Sequence, residues 1–224
     1  MHKLKKYLAI LPIKFVFVLK HQVKVFLYRS LNALRGFSDY FVFPFDVSSP
    51  LPDHSKTVFS SIIQFLESEN IDYFVADGTL LGIYRDLALI KHDTDLDFYL
   101  KDENDVWKIR DFFESRGFRV GRLMTRWSRT YQISFFDDRR LIVDFCIWHP
   151  GPSGNRFWVA PEIRGKRLQP EFYFDDFQSI QWEGMSFRTF PNVEDWLTLV
   201  YGEMWGVPET VKGDWRESVQ DFEE

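Results

Sequence analysis

The chain has 224 residues, a formal net charge of −5, 45% hydrophobic and 18% aromatic content, and a single cysteine. This length and apolar content predict one main domain around one core, and one cysteine excludes an intramolecular disulfide. Residues 1–36 contain 8 of the 28 Lys and Arg and no Asp or Glu, so the rest of the chain is strongly acidic. An acidic body argues against a nucleic-acid partner, because neutralising phosphate requires a basic surface.

Residues 1–36 place basic side chains among Phe, Leu, Val and Tyr. Lys14 interrupts their longest apolar stretch, which is too short for an ordinary membrane span and lacks the cleavage site of a signal peptide. The pattern is typical of an amphipathic helix on an anionic membrane surface, although a helix packed on the body or on a partner would fit too. We therefore predict a cytoplasmic protein, peripheral at the membrane surface, unless this segment is a signal anchor that places the body in a lumen.

The next elements are a linker and a helix. Residues 37–52 are rich in Phe, Ser and Pro, which indicates a linker or an irregular cover. Asp53 or Ser55 can cap a helix that runs to about residue 69. We predict a catalytic domain over residues 53–210 and an acidic tail over residues 211–224.

A strand candidate at residues 73–76 stops at Asp77-Gly78-Thr79, where a helical pattern begins. A helix start presents free backbone N–H groups, and this one suits a phosphate group. The plain alternative is that Gly78 and Thr79 only cap the helix.

Three carboxylates then alternate with other residues at the start of a second strand: Asp93, Asp95 and Asp97. Alternation puts Asp95 and Asp97 on one face of the strand, about 6.6 Å apart along the chain. Neighbouring carboxylates repel each other, and a hard cation such as Mg²⁺ or Mn²⁺ relieves that repulsion while also binding substrate phosphates. The alternative is that these acidic residues only form a turn exposed to solvent. Next to a phosphate-binding helix start, however, the pair predicts a phosphoryl or nucleotidyl transfer site.

A second helix is predicted over residues 103–117, followed by strands at residues 118–124, 130–136 and 141–148. Asp144 lies in the otherwise apolar last strand, where a carboxylate is costly unless it is paired or binds a metal. Sheet pairing could bring Asp144 beside the acidic pair and complete a three-carboxylate site. The alternative is a structural salt bridge to Arg129 or Arg139. Cys146, in the same strand, reads as a small core residue.

Residues 150–170 read as a loop with one short strand candidate at residues 157–160. Strands follow near residues 179–182 and 185–190, and a helix runs from residue 191 to about residue 204. Trp196, Leu197 and Tyr201 are among the apolar positions of that helix. The order of elements predicts an α+β fold, a mixed β-sheet flanked by helices.

Three segments resemble the LicD/fukutin-type transferases. Residues 76–82 with Arg85 resemble the family signature DGTLLGxxR, and residues 92–97 resemble its WDDDID element. Residues 190–202 resemble its late P…L…YG element. His92 stands in place of the usual Trp and Thr94 in place of the middle acid, while Asp95 and Asp97 are retained.

The resemblance implies the nucleotidyltransferase fold and the transfer of a substituted phosphate, such as phosphocholine or ribitol phosphate. The donor would be CDP-activated, and the acceptor a sugar hydroxyl of a surface glycan such as lipopolysaccharide or teichoic acid. Carried over by position, Asp77, Gly78, Thr79 and Arg85 would bind the donor. The implied metal and catalytic residues are Asp95, Asp97 and Asp144.

Three other functions stay open at this stage. The same carboxylates serve a true nucleotidyltransferase, which transfers NMP and releases pyrophosphate. A membrane-tethered binding module would use the pocket without catalysis, and an interaction protein would use its aromatic surface to dock a glycan-assembly partner. A retained set of mutually repelling acids argues for catalysis over the binding module.

Overall fold

A computed structural model describes residues 37–126, 129–150, 156–160, 165–169 and 176–208. The predicted basic segment at residues 1–36 and the predicted tail at residues 211–224 lie outside these described residues. Within the described parts, no helix is long and apolar enough to cross a membrane.

The fold is built on a six-stranded mixed sheet. Its strands, in chain order, are β1 Phe37–Phe41, β2 Tyr73–Val75, β3 Asp95–Leu100, β4 Arg119–Arg126, β5 Arg129–Phe136 and β6 Ile142–Ile147. Their order across the sheet is β1-β4-β5-β6-β3-β2, with β3 and β6 parallel and the other neighbours antiparallel.

In the part of the chain that the structure describes, four α-helices accompany the sheet: α1 Ser55–Ser68, α2 Asp77–Asp86, α3 Val106–Glu114 and α4 Val193–Tyr201. A 3₁₀ turn over Glu103–Asp105 precedes α3. Two smaller sheets complete the description: β7 His149–Pro150 with β8 Arg156–Ala160 and β9 Gly165–Gln169, and the hairpin of β10 Gln178–Trp182 with β11 Met185–Thr189. The predicted α+β architecture is confirmed.

The two faces of the main sheet differ in chemistry because side chains alternate along each strand. Helices α1 and α3 cover the apolar face, where Phe59 stacks on Phe98 and Phe113 stacks on Phe135. Phe145 joins this cluster. The alternate residues of β3 and β6 point to the opposite face, which carries the acidic residues.

The interpretation of residues 37–52 as a linker is wrong at its start, because Phe37–Phe41 pairs along β4 as an edge strand. Phe43 continues that attachment, with its ring centre 5.5 Å from that of Phe136. A Cβ on Gly121 would lie only 2.3 Å from the Phe43 ring, so this glycine makes room for it. The folded body therefore begins no later than residue 37 rather than at residue 53.

Two other differences concern element bounds. The predicted loop at residues 150–170 contains strands β8 and β9, of which only the first was predicted. The last helix ends at Tyr201 rather than near residue 204, because Gly202 adopts φ +80° and turns the chain away.

Candidate active site

The β2–α2 turn forms one wall of the site. Ala76 is extended and precedes α2, and Asp77 opens the helix with φ +44°, an uncommon conformation for a residue with a side chain. The Tyr99 hydroxyl on β3 donates a hydrogen bond to Asp77 Oδ2 at 2.5 Å. The turn is thus fixed to the strand that carries the acidic residues.

Thr79 locks the first turn of α2 to β3. Its Oγ1 accepts a hydrogen bond from the Asp97 backbone N–H at 2.8 Å, and the side chain is buried. The Ala76 N–H donates to the Asp97 carbonyl at 3.2 Å, so the same strand residue is held twice. The Thr79 hydroxyl therefore positions Asp97, and its predicted contact with phosphate stays a prediction.

The acidic residues converge at the start of β3. Asp93, Asp95 and Asp97 each offer a carboxylate oxygen, and these three oxygens lie within 4.8 Å of one another. The Asp93 backbone is held by the N–H of Leu51, which donates to its carbonyl at 2.7 Å. The alternating pattern of the sequence includes Asp93 but assigns it no role.

Gly78 makes the position of Asp93 possible. A Cβ on Gly78 would lie 2.2 Å from Asp93 Oδ2, closer than real contacts allow. The Asp93 carboxylate therefore lies directly against the start of α2, where helix N–H groups favour negative charge. The two halves of the predicted site, the helix start and the acidic strand, meet at this contact.

Electrostatics in this cluster favour a bound cation. Burial raises the pKa of Asp95 well above its usual value, and the charges of Asp144 and Asp93 raise it further. Burial also raises the pKa of Asp97, with added repulsion from Asp95 and Asp77. Such repulsion is what a divalent cation offsets, and an all-oxygen set of ligands fits Mg²⁺ or Mn²⁺.

Asp144 lies beside the cluster, because β3 and β6 run parallel with Asp97 paired to Asp144. Neighbouring strands lie about 4.8 Å apart. Gln132 on β5 donates a hydrogen bond to Asp144 Oδ2 at 2.6 Å, a contact that sequence reasoning did not identify. Arg139 was the alternative salt-bridge partner for Asp144, but its Nε instead lies 3.8 Å from Asp137 Oδ2. The pairing predicted for Asp144 is thus present, while its role as a ligand stays a prediction.

Arg85 lies in the last turn of α2, where its guanidinium makes two hydrogen bonds to Asp86 and one to the carbonyl of Trp205. The bond to Asp86 raises the pKa of Arg85, so the group stays charged. A donor phosphate would have to compete with Asp86 for this side chain. Its predicted binding to phosphate stays a prediction.

The mixed sheet, the strand–turn–helix of β2 and α2, and the acidic start of β3 together define a nucleotidyltransferase-like domain. Residues 70–192 match the family described as LicD/FKTN/FKRP, nucleotidyltransferase domain. This match spans more than half of the chain, and the protein belongs to that family. The description of that family names a nucleotidyltransferase domain.

A curated relative is the uncharacterized protein RP689 of Rickettsia prowazekii (strain Madrid E), 29% identical over 117 residues. The match covers 51% of this chain and 40% of that protein, so the chain spans less than half the length of this relative.

Two solved structures are similar. The lincosamide antibiotic adenylyltransferase LnuA, bound to lincomycin, gives a TM-score of 0.45 at 15% identity, covering 63% of this chain and 82% of that one. An antigenic nucleotidyltransferase-like protein from Paracoccidioides brasiliensis gives a TM-score of 0.38 at 18% identity, and the match covers 63% of each chain.

Proposed function

We propose that the protein transfers a substituted phosphate, such as phosphocholine or ribitol phosphate, from a CDP-activated donor to a sugar hydroxyl of a surface glycan. One observation carries the proposal: three carboxylate oxygens lie within 4.8 Å of one another against the start of a helix. Family membership points to the same class of chemistry. The cofactor would be Mg²⁺ or Mn²⁺.

Asp93, Asp95 and Asp97 would hold the ion, since their oxygens already converge. When bound, the ion supplies positive charge against the donor phosphates and the CMP leaving group. Thr79 keeps the Asp97 backbone in place through its buried hydroxyl, which fixes one ligand relative to the helix start. Asp93 is thereby added to the ligands that the sequence predicts.

Asp144 would then serve either as a further ligand or as the group that accepts the proton from the acceptor hydroxyl. Its hydrogen bond from Gln132 fixes the direction of the carboxylate. Acceptance of a proton at this carboxylate is general base catalysis.

The donor phosphates would bind the free backbone N–H groups at the start of α2, near Gly78. The Thr79 side chain is buried, so we assign phosphate binding to the main chain rather than to that hydroxyl. Positioning and fixed charges would supply most of the rate acceleration, as in other phosphoryl transfers.

True nucleotidyl transfer is the second candidate, and the family description favours it by naming a nucleotidyltransferase domain. The two reactions leave different products. A CDP-linked donor yields CMP in the first, whereas a nucleoside triphosphate yields pyrophosphate in the second.

Product analysis tests the proposal. The full chain is incubated with Mg²⁺, glycan acceptor and CDP-choline, CDP-ribitol or CDP-glycerol, and CMP and pyrophosphate are both measured. Metal-dependent CMP release that requires the acceptor supports the proposal. Pyrophosphate release from CTP or ATP, with no CMP from any CDP compound, supports nucleotidyl transfer instead.

We also propose that residues 1–36 hold the protein on the anionic cytoplasmic surface of a membrane. Their basic residues and their lack of acids support this location. Replacing Lys3, Lys5 and Lys6 by Gln in the full chain should reduce the fraction of protein that sediments with phosphatidylserine vesicles. The fraction that sediments with phosphatidylcholine vesicles should not change. Equal sedimentation of the variant and the natural chain with anionic vesicles would refute this location.

A further inference from the structure

The acidic face of the sheet continues beyond Asp144, on the side away from α2. Paired residues of neighbouring strands share a face, and the pairing of Asp97 with Asp144 extends through Ser134 on β5 to Arg122 on β4. Neighbouring strands lie about 4.8 Å apart, so the backbone of Arg122 is about 10 Å from that of Asp144. One row of residues therefore leads from the acidic cluster to a positively charged residue.

Side-chain contacts show which face of the sheet this row occupies. Gln132, two residues before Ser134 on β5, donates a hydrogen bond to Asp144 Oδ2 at 2.6 Å. Phe135, which alternates with Ser134, stacks on a phenylalanine of helix α3 at the opposite face. Arg122 is paired with Ser134 and therefore belongs to the face that carries the acids.

Aromatic rings hold the guanidinium of Arg122 near the β1 edge of this face. Its Cζ lies 5.9 Å from the centre of the Phe41 ring, in the range of a cation–π contact. Phe41 meets Phe43 edge-on with ring centres 4.9 Å apart, and Phe43 in turn lies 5.5 Å from Phe136. Arg122, Phe41 and Phe43 are all half-buried, so part of each side chain remains exposed to solvent.

We propose that Arg122 binds a phosphate group carried by the acceptor glycan. This inference rests on the proposed function, in which the donor phosphates bind the start of α2 and the acceptor hydroxyl lies at Asp144. The order of strands places Arg122 beyond Asp144 on the side away from α2, and so on the acceptor side of the site.

The chemistry of the guanidinium suits this role. Arginine stays charged and can give a phosphate two parallel N–H hydrogen bonds, which add orientation to the attraction between the charges. The site acids repel an anionic acceptor, and a positive charge further along the same face offsets that repulsion. Arg122 is thus a binding residue that favours phosphorylated acceptors, and it takes no part in breaking or forming a bond.

Arg119 provides a matched control on the same strand and the same face. It pairs with Phe136, its Cζ lies 4.8 Å from the centre of that ring, and its guanidinium is bound by the carboxylate of Asp138. Arg119→Gln therefore removes one positive charge from β4 and leaves Arg122 in place. Arg122→Lys is the conservative variant, because it keeps the charge but loses the paired N–H donors.

The test measures binding of glucose 6-phosphate and glycerol 3-phosphate to the full chain by calorimetry, with glucose and glycerol as uncharged controls. These titrations are made in EDTA, which prevents a metal ion from bridging the phosphate to the acidic cluster. Cytidine 5′-diphosphate in the presence of Mn²⁺ is titrated separately, because it reports on the donor side of the site. Thermal melting checks the fold of each variant.

We expect Arg122→Gln to weaken binding of both phosphate esters by about 10- to 100-fold, the usual loss of hydrogen bonds to a charged group. Arg122→Lys should recover part of this affinity, and Arg119→Gln should bind the esters as the natural chain does. Binding of cytidine diphosphate with Mn²⁺ should be the same in all three variants.

Four results would overturn the inference. If Arg122 only stabilises β1 through Phe41, Arg122→Gln will lower the melting temperature and leave binding of the esters unchanged. Equal losses in Arg122→Gln and Arg119→Gln would mean that binding responds to net charge alone. Failure of the natural chain to bind either ester would exclude the phosphate site, and a loss confined to cytidine diphosphate would assign Arg122 to the donor.

Two further outcomes separate this inference from the proposed function. If ester binding depends on Arg122 but no CDP compound is turned over, the phosphate site stands and the proposed transfer reaction fails. If CMP release requires an acceptor and Arg122→Gln uses phosphorylated and unphosphorylated acceptors as the natural chain does, the transfer reaction stands and this inference fails.

Discussion

Replacing Gly78 by Ala tests how the helix start and the acidic strand cooperate. The new Cβ would lie 2.2 Å from Asp93 Oδ2, and real Cβ atoms essentially never approach another atom closer than 3.0 Å. The carboxylate must therefore move by at least about 0.8 Å, a large displacement for an ion that requires near-ideal geometry at about 2.0–2.1 Å. The backbone should tolerate alanine, because Gly78 is not among the positive-φ glycines.

We expect Gly78→Ala to weaken binding of Mg²⁺ or Mn²⁺ by about 10- to 100-fold, the usual cost of disturbing the surroundings of a metal ligand. The metal-free protein should be as stable as the natural chain or slightly more stable, since alanine restricts the unfolded chain. Metal titration by calorimetry and urea denaturation in EDTA measure the two quantities. Gly206→Ala is the control, because a Cβ there meets nothing within 4 Å.

Unchanged metal affinity in Gly78→Ala would refute the placement of Asp93 among the ligands. If the same variant lost only its affinity for cytidine diphosphate, the glycine would serve the phosphate and not the ion. Combining Gly78→Ala with Asp93→Ala gives a further check, because the added methyl group should have no effect on metal affinity once the carboxylate is gone.

Three more predictions concern the acidic strand. Asp97→Asn should keep the fold but lose the stabilisation that a bound metal gives, about 2.7 kcal/mol at a metal concentration 100 times Kd. If the variant kept that stabilisation, Asp97 would not be a metal ligand. The raised pKa values of Asp95 and Asp97 mean that the folded state binds protons more tightly than the unfolded state, so metal-free stability should fall as pH rises from about 3.9 towards the folded pKa values. Urea denaturation in EDTA at several pH values measures this fall in stability, and the fall should be smaller in Asp97→Asn. An equal dependence of stability on pH in the variant and the natural chain would be inconsistent with repulsion between the carboxylates. Thr79→Val should lower the free energy of unfolding by about 1–3 kcal/mol, because the Asp97 N–H loses its acceptor. The control Thr57→Val, at an exposed position, should lower it by less than about 0.5 kcal/mol in the same assay, and equal losses would refute the role of the Thr79 hydroxyl.

Local patterns account for the part of the site that the sequence could predict. The strand, turn and helix around Gly78 follow from short-range signals, and alternation places Asp95 and Asp97 on one face. Asp144 was identified because a carboxylate in an apolar strand needs a partner. Its pairing with Asp97 is present in the parallel register of β3 and β6.

The features that escaped prediction depend on contacts between residues far apart in the chain. Asp93 joins the cluster because Gly78, fifteen positions earlier, leaves room for its carboxylate. Strand β1 was missed because the nearby Ser and Pro residues suggested a linker, while its pairing partner β4 lies more than eighty residues later.

We propose that the Asp93–Asp95–Asp97 cluster binds a divalent cation on which binding of a CDP-linked donor depends. The test is calorimetric titration of the full chain with CDP-choline, CDP-ribitol and CDP-glycerol, with and without Mg²⁺, and Asp97→Asn is the comparison. We predict that one CDP compound binds only in the presence of Mg²⁺ and that Asp97→Asn abolishes this binding. Equal affinity without the metal, or binding of a nucleoside triphosphate but of no CDP compound, would contradict it.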